Sequence, residues 1–86
     1  MNKLPKITFG RHAKYQLKER NISENEVVNC VIKPDKLVQQ LSGRFRVVRK
    51  IRRNKNYYLV VVVYEKIKSK IEIITVFYTS KIKKYL

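Results

Sequence analysis

The sequence predicts a single α+β domain in which two N-terminal helices pack on a four-stranded antiparallel β-meander, followed by a short C-terminal helix. Three observations support this fold class. The first half has helical spacing and a helix-start signal. The second half has runs of β-branched and aromatic residues separated by short turns. A chain of 86 residues holds only one core, so the predicted domain spans residues 1–86.

The first helix is predicted over residues 11–20, after Gly10 and a short lead-in strand at residues 7–9. Ala13 and Leu17 are four residues apart and form an apolar face. A neighbouring face is expected to be polar and carries His12, Gln16 and Glu19. We therefore expect this helix to pack through the Ala13 side.

The second helix has the clearest local signal. Ser23 and Glu26 have the spacing of a capping box, in which each side chain binds the other residue's backbone N–H. Ile22 and Val27 flank this box in the positions of a hydrophobic staple. Pro34 ends the helix, because the residue before a proline is disfavoured in helical geometry.

The second half predicts strands joined by short turns, and connections this short allow only antiparallel neighbours. The turns contain Ser42–Gly43, residues 54–56 and Lys68–Ser69. The predicted strands are residues 36–41, 44–53, 57–66 and 70–78, and a last helix is predicted over residues 81–86.

The strand at residues 44–53 places cations at alternate positions. Because side chains alternate across a strand, one face is predicted to carry Arg44, Arg46, Val48, Lys50 and Arg52. The other face carries Phe45, Val47, Arg49 and Ile51. In the last strand, Ile71, Ile73, Thr75 and Phe77 are expected opposite to Glu72, Ile74, Val76 and Tyr78. Two helices can cover one face, and the arginine-rich face forms an open site if the last helix does not cover it.

The charge indicates a polyanionic partner. The chain has 21 Lys+Arg and 6 Asp+Glu, a net charge of +15. Residues 44–86 carry most of it, and five of the seven arginines lie in residues 44–53. Nucleic acid, an acidic protein and an anionic membrane surface all fit this charge. The alternative is a charged surface that only keeps the protein soluble.

The composition excludes several classes. The single cysteine, Cys30, allows no internal disulfide and favours a cytoplasmic protein. With one histidine and one cysteine, no ordinary zinc site is expected, and scattered carboxylates do not supply a two-metal site. The longest apolar run, residues 59–64, is too short to span a membrane, and Met1–Pro5 contains no secretory apolar region. We therefore expect no metal, no cofactor and no membrane association.

Metal-free RNA cleavage remains compatible with these residues. His12 is the candidate acid or base, because histidine exchanges protons near neutral pH. Arg46 is the candidate phosphate ligand and Tyr78 a positioning group, which completes the predicted catalytic set. The predicted nucleic-acid-binding residues are Arg20, Arg44, Arg49, Lys50, Arg52, Tyr58, Tyr64 and Thr75. The tyrosines at positions 57, 58 and 64 fit base stacking and core packing equally well.

The order of motifs resembles that of known small domains. The resemblance rests on Phe9, His12-Ala13, Glu19-Arg20-Asn21-Ile22-Ser23, Gly43-Arg44, the run Tyr58–Tyr64 and Ile73–Tyr78. The chain resembles a family of small prokaryotic and viral domains with a helix pair before a β-meander, and is similar in layout to BrnT-type toxins and the RelE-like ribonucleases.

The resemblance implies an RNA-cleaving site on the sheet that an antitoxin blocks. It assigns roles by position to His12, Arg20, Arg44, Arg46, Thr75 and Tyr78. The arginine pattern that the toxins carry in the last strand is absent, because Ile74–Phe77 occupies that stretch.

Three functions follow as hypotheses. The first is a toxin-type, metal-independent endoribonuclease. The second is a nucleic-acid-binding module that does not cut. The third is an interaction module that pairs with an acidic protein or with a second copy of itself.

Overall fold

The computed structural model describes residues 6–86. The sheet has five strands: β1 (Lys6–Phe9), β2 (Lys36–Gln39), β3 (Arg44–Arg53), β4 (Asn56–Ile67) and β5 (Lys70–Thr79). The helices are α1 (Arg11–Glu19), α2 (Glu24–Ile32) and α3 (Ile82–Tyr85), with a 3₁₀ turn at Leu41–Gly43. The part of the predicted domain at residues 1–5, including the Met1–Pro5 stretch, lies outside the described residues.

The prediction of a four-stranded antiparallel meander was wrong. The sheet order is β1-β5-β4-β3-β2, and β1 pairs in parallel with β5, so the sheet is mixed. Ile7 lies opposite Ile71 and Phe9 opposite Ile73 in this parallel pair. The pairing joins residues more than sixty positions apart, so no turn signal announces it. Burial of the apolar side chains of β1 beside β5 stabilises it.

Gly10 makes the transition from β1 to α1 possible. Its backbone N–H donates to the carbonyl oxygen of Ile73 at 3.0 Å. A Cβ atom at this position would lie 3.2 Å from the same oxygen, which is a tight contact with backbone. Glycine therefore allows β1 to lie against β5 while the chain turns into the helix.

The ends of the two helices follow from local sequence. Asn21 adopts a left-handed conformation after α1, and the N–H of Ile22 donates to Leu17 O at 3.0 Å, as in a Schellman motif. The predicted capping box of α2 is confirmed, because Glu26 N–H donates to Ser23 Oγ at 3.1 Å and Ser23 N–H to Glu26 Oε1 at 3.4 Å.

The main core lies between the two long helices and one side of the sheet, which we call the helix face. Ala13, Leu17, Val27 and Cys30 from the helices are buried there. The strands contribute Val47, Val60, Val62, Tyr64, Ile71, Ile73 and Val76. A smaller cluster of Val48, Leu59 and Val61 lies on the opposite side, where Phe77 and residues of α3 pack against it.

A β-bulge in β5 changes which residues share a face. Val63 lies opposite Thr75 and Tyr64 opposite Ile73, so Ile74 is the extra residue. Beyond the bulge the alternation shifts by one position, and Val76 joins the core under the helices while Phe77 packs on the other side. The predicted grouping of Ile73 with Phe77 was therefore wrong.

Gln16 is buried, although the sequence placed it on a polar face. Its Oε1 atom accepts hydrogen bonds from the Thr75 hydroxyl and the Val76 N–H, both at 2.8 Å. The Gln16 side chain thus supplies an acceptor for a backbone N–H beside the bulge in β5.

Candidate nucleic-acid interface

The side of the sheet opposite to α1 and α2 carries a row of cations, which we call the basic face. Arg44, Arg46, Lys50 and Arg52 occupy alternate positions of β3 on this side, as the sequence predicts. Arg44, Lys50 and Arg52 are exposed and Arg46 is half-buried. At about 3.3 Å per residue, the row extends over roughly 26 Å.

Tyr57 is the exposed aromatic residue of this row. It lies opposite Arg52 across the β3–β4 hairpin, and 49% of its surface is exposed. The Nζ atom of Lys50 lies 4.5 Å from its ring centroid, and the guanidinium carbon of Arg52 lies 5.8 Å from it. An exposed ring between two cations combines a stacking surface with phosphate ligands.

Helix α3 covers the middle of the same side. The Tyr85 ring packs edge-on against Phe77, with ring centroids 5.8 Å apart. The guanidinium of Arg46 lies over Tyr85 at 5.4 Å, and its Nε atom is buried with no hydrogen-bond partner among residues 6–86. Helix α3 thus holds the Arg46 side chain in place but leaves part of its hydrogen-bonding capacity unused.

The structure does not bring the predicted catalytic set together. His12 is exposed at the start of α1, on the helix side of the sheet. Arg46 lies on the basic face under Tyr85. Tyr78 packs with the core under the helices. The sheet therefore separates Arg46 from His12 and Tyr78.

Tyr78 is part of a polar network with α2. Its hydroxyl donates to Glu26 Oε2 at 2.6 Å, and the guanidinium of Arg53 lies 4.9 Å from its ring. Burial, followed by the contact with Glu26, raises the pKa of Tyr78 to about 12 against a smaller opposing effect of Arg53. The network ties β3, β5 and the start of α2 together.

The remaining predicted binding residues divide between the two sides. Arg44, Lys50 and Arg52 belong to the basic face. Arg20 is exposed at the end of α1. The others contact the helix side: Arg49 Nη1 donates to Lys33 O at 3.0 Å, Tyr64 stacks on Phe45 with centroids 5.4 Å apart, Thr75 donates to Gln16, and Tyr58 lies opposite Ile51.

The predicted nucleic-acid-binding residues include Tyr58 but not Tyr57. A three-residue turn at residues 54–56 would have paired Tyr58 with Arg52. The observed loop has two residues, Asn54 and Lys55, both with positive φ, so Tyr57 pairs with Arg52 instead. A change of one residue in register exchanges the two faces of a strand. Asn54, a residue that tolerates the left-handed region, is the local signal for the shorter loop.

Other candidate chemistry is sparse in the described part of the chain. Burial raises the pKa of Cys30 to about 12, and its Sγ atom lies 3.5 Å from Val60 O, so it is an inert core residue. Residues 6–86 contain no cluster of three or more metal-ligating His, Cys, Asp or Glu side chains. No helix within them is long and apolar enough to cross a bilayer.

The larger open cleft, of about 690 Å³, lies on the helix side beside Tyr15 and Ile22. None of the predicted site residues lines it. A second open cleft, of about 620 Å³, lies between the turn after β2 and the Arg44–Glu65 pair. It therefore adjoins one end of the cationic row.

Comparison with known proteins gives one match. Residues 9–78 match the family described as "Domain of unknown function (DUF4258)". The chain belongs to this family. No curated protein matches the chain, and no solved structure matches it. The matched range includes α1, α2 and strands β2 to β4 in full, so the basic face lies within the family's domain.

Proposed function

We propose that this protein binds single-stranded RNA on the basic face. One observation supports this proposal above the others: four cations of β3 line one side of the sheet, and the exposed Tyr57 ring lies at the end of their row. Single-stranded nucleic acid offers a phosphate for each cation and a base that can stack on the ring.

The cations carry the sequence-independent part of the binding. Arg44 and Arg46, and likewise Lys50 and Arg52, present donors about 6.6 Å apart to an extended phosphodiester backbone, and Val48 separates the two pairs. Glu65 lies beside Arg44 at 3.9 Å, which weakens the positive field at that end of the row. The strongest phosphate binding is therefore expected around Arg46, Lys50 and Arg52.

Tyr57 supplies the preference for unpaired bases. A duplex keeps its bases stacked on one another, so their faces are not free to lie on a protein ring. A single strand can place one base on Tyr57 while Lys50 and Arg52 hold the flanking phosphates. This arrangement favours single-stranded over double-stranded RNA without reading the base sequence.

The resemblance to BrnT-type and RelE-like toxins offers RNA cleavage as a second candidate function. Because His12 and Tyr78 lie across the sheet from Arg46, these three residues do not form one catalytic site. RNA incubated with the protein in EDTA is expected to stay intact. Cleavage by the wild type that is lost in both His12→Ala and Arg46→Ala would favour the toxin-type ribonuclease over a module that only binds.

Binding is tested by fluorescence anisotropy with a labelled oligouridine over a series of salt concentrations. Four phosphate contacts predict that log K falls with log salt with a slope of about −3. Each of Lys50→Gln and Arg52→Gln should reduce this slope by about 0.7. Tyr57→Ala should weaken binding roughly 5- to 150-fold, the usual range for loss of one base stack.

Matched controls lie on α1. Lys14→Gln and Lys18→Gln remove the same charge from exposed positions on the other side of the sheet, and Tyr15→Ala removes an exposed ring there. These variants should keep the wild-type affinity to within about twofold. Equal losses for the α1 and β3 variants would mean that net charge alone drives binding and would overturn the proposed site. Displacement of the RNA by an acidic polypeptide would identify a competing partner for the same face.

A further inference from the structure

The edge of the sheet formed by β2 has an unusual composition for this chain. Residues 37–43 carry no charge, in a protein with 27 charged residues among 86. The two longer uncharged runs, residues 56–64 and 73–80, lie mainly in strands inside the sheet, whereas β2 is an end strand. Leu37 is 51% exposed and Leu41 is 91% exposed, the highest value for a large hydrophobic residue among residues 6–86. Natural edge strands are usually protected by charges or by proline.

The outward hydrogen-bonding groups of β2 can be identified from its pairing with β3. Gln40 N–H donates to Arg44 O at 2.8 Å, and Val38 lies opposite Arg46. Backbone groups alternate in direction along a strand. The N–H and C=O groups of Leu37 and Gln39 therefore point away from β3, towards the open edge.

We propose that a second copy of this chain pairs with β2 along this edge. Antiparallel pairing centred on Val38 places Leu37 of one copy opposite Gln39 of the other and forms four backbone hydrogen bonds. The same register brings the exposed Leu41 to the level of Pro34 and Asp35 of the second copy. A contact that meets itself about a twofold axis must not place like charges opposite each other, and in this register Lys36, the one cation of β2, lies opposite the uncharged Gln40 of the second copy.

The symmetry of such a pair has a consequence for RNA. Antiparallel strands in one continuous sheet are related by an axis perpendicular to the sheet, so both helix layers lie on one side and both basic faces on the other. The dimer presents two cationic rows side by side on one surface. This consequence rests on the proposed function, whereas the pairing itself does not.

The remaining charge of the two copies opposes the pairing, because each copy carries +15. Salt screens this repulsion, since the Debye length falls from about 30 Å at 0.01 M to about 3 Å at 1 M. Dimerisation is therefore expected to strengthen as salt rises. RNA binding has the opposite salt dependence, so the two properties are distinguishable in one titration.

Sedimentation velocity of the full chain without RNA tests the pairing, at several protein and salt concentrations. We expect the fraction of dimer to increase with the protein concentration and with the salt concentration. Gln39→Pro removes an outward N–H and keeps the ladder with β3. It should weaken dimerisation about tenfold or more, because two of the four hydrogen bonds are lost. Leu41→Lys should weaken it, because the register places Leu41 beside Pro34 of the second copy and the substitution removes this apolar contact.

Tyr15→Lys is the matched control, because it adds the same charge at an exposed apolar position on α1. It should dimerise nearly as the wild type does, and circular dichroism should show that all three variants are folded. A wild type that stays monomeric at every salt and protein concentration overturns the pairing. Equal loss in Tyr15→Lys and Leu41→Lys, with Gln39→Pro unaffected, overturns the proposed edge.

Long and short oligonucleotides test the consequence for RNA. A dimer that spans two cationic rows should bind a long oligouridine more tightly than Gln39→Pro does, through the higher effective concentration of the second row. A short oligouridine should bind both proteins equally. Dimerisation without any RNA binding would leave the edge pairing intact and overturn the proposed function.

Discussion

The two sides of the sheet use the same strands in different ways. On the helix face, alternate residues of β3 such as Val47 are buried and their neighbours from α1 and α2 exclude water. On the basic face, the intervening residues are mostly cations, and within residues 6–86 the short α3 is the one helix that packs on the apolar cluster at Leu59. The difference indicates that stability comes mainly from one side and that ligand binding belongs to the other.

The largest expected difference in the free energy of unfolding is between substitutions in the two apolar clusters. Ile73→Ala on the helix face should lower the free energy of unfolding by about 3 kcal/mol, because it leaves a cavity in a fully buried site. Ile82→Ala on α3 should cost about 1 kcal/mol or less, because Ile82 is only partly buried. Urea denaturation measures both. Equal losses would mean that α3 contributes as much to stability as the two long helices.

The second contrast concerns Gln16. Gln16→Ala should cost about 2–3 kcal/mol, because it leaves the buried N–H of Val76 and the hydroxyl of Thr75 without their acceptor. Gln39→Ala, at an exposed position of β2, should stay within about 0.5 kcal/mol of the wild type. Thermal unfolding checks the pair. A small effect of Gln16→Ala would show that water or a shift of the bulge replaces the side-chain acceptor.

The third expectation is a pH dependence at Tyr78. Its pKa in the folded protein is about 12, against a usual value of 10, mainly through burial and then through Glu26. A raised pKa means that the stabilisation is fully present below pH 10 and is lost as pH rises through about 12. Tyr78→Phe should therefore lose less stability than the wild type between pH 10 and 12. Parallel stability curves for the two proteins over that window would contradict this assignment.

The smallest expected effects on stability concern two adjacent residues of β3, which lie on opposite faces of the sheet. Arg49→Gln loses the hydrogen bond to Lys33 O and should cost about 1 kcal/mol while leaving RNA affinity unchanged. Lys50→Gln should change stability by less than about 0.5 kcal/mol while weakening RNA binding. Urea denaturation and anisotropy on the same preparations test both. Reversed outcomes would assign the RNA to the helix side.

Patterns of short range were sufficient for several elements. Ser23 and Glu26 specify the start of α2, because both partners of the capping box lie within one turn. The alternation of Arg44, Arg46, Lys50 and Arg52 specifies one face of β3, because side-chain direction alternates with every residue of a strand.

Features that depend on register or distant pairing were not predictable in the same way. Tyr57 was considered for base stacking but left out of the predicted binding residues, and the two-residue hairpin loop is what places it opposite Arg52. The faces of Val76 and Phe77 were exchanged because Ile74 forms a bulge that has no local sequence signature. The separation of His12 from Arg46 follows from the side of the sheet on which α1 packs, which depends on the whole arrangement of helices and strands.

The sequence by itself determined the two long helices, the strands and short turns of the second half and the cationic row of β3, because each depends on contacts or periodicities within a few residues. Only the tertiary structure decided that β1 joins β5 in parallel, that α3 covers Leu59, and that Tyr57 belongs with Arg52. Those features depend on which distant apolar surfaces can be buried together. They also depend on the strand register, because one extra residue exchanges the two faces of a strand.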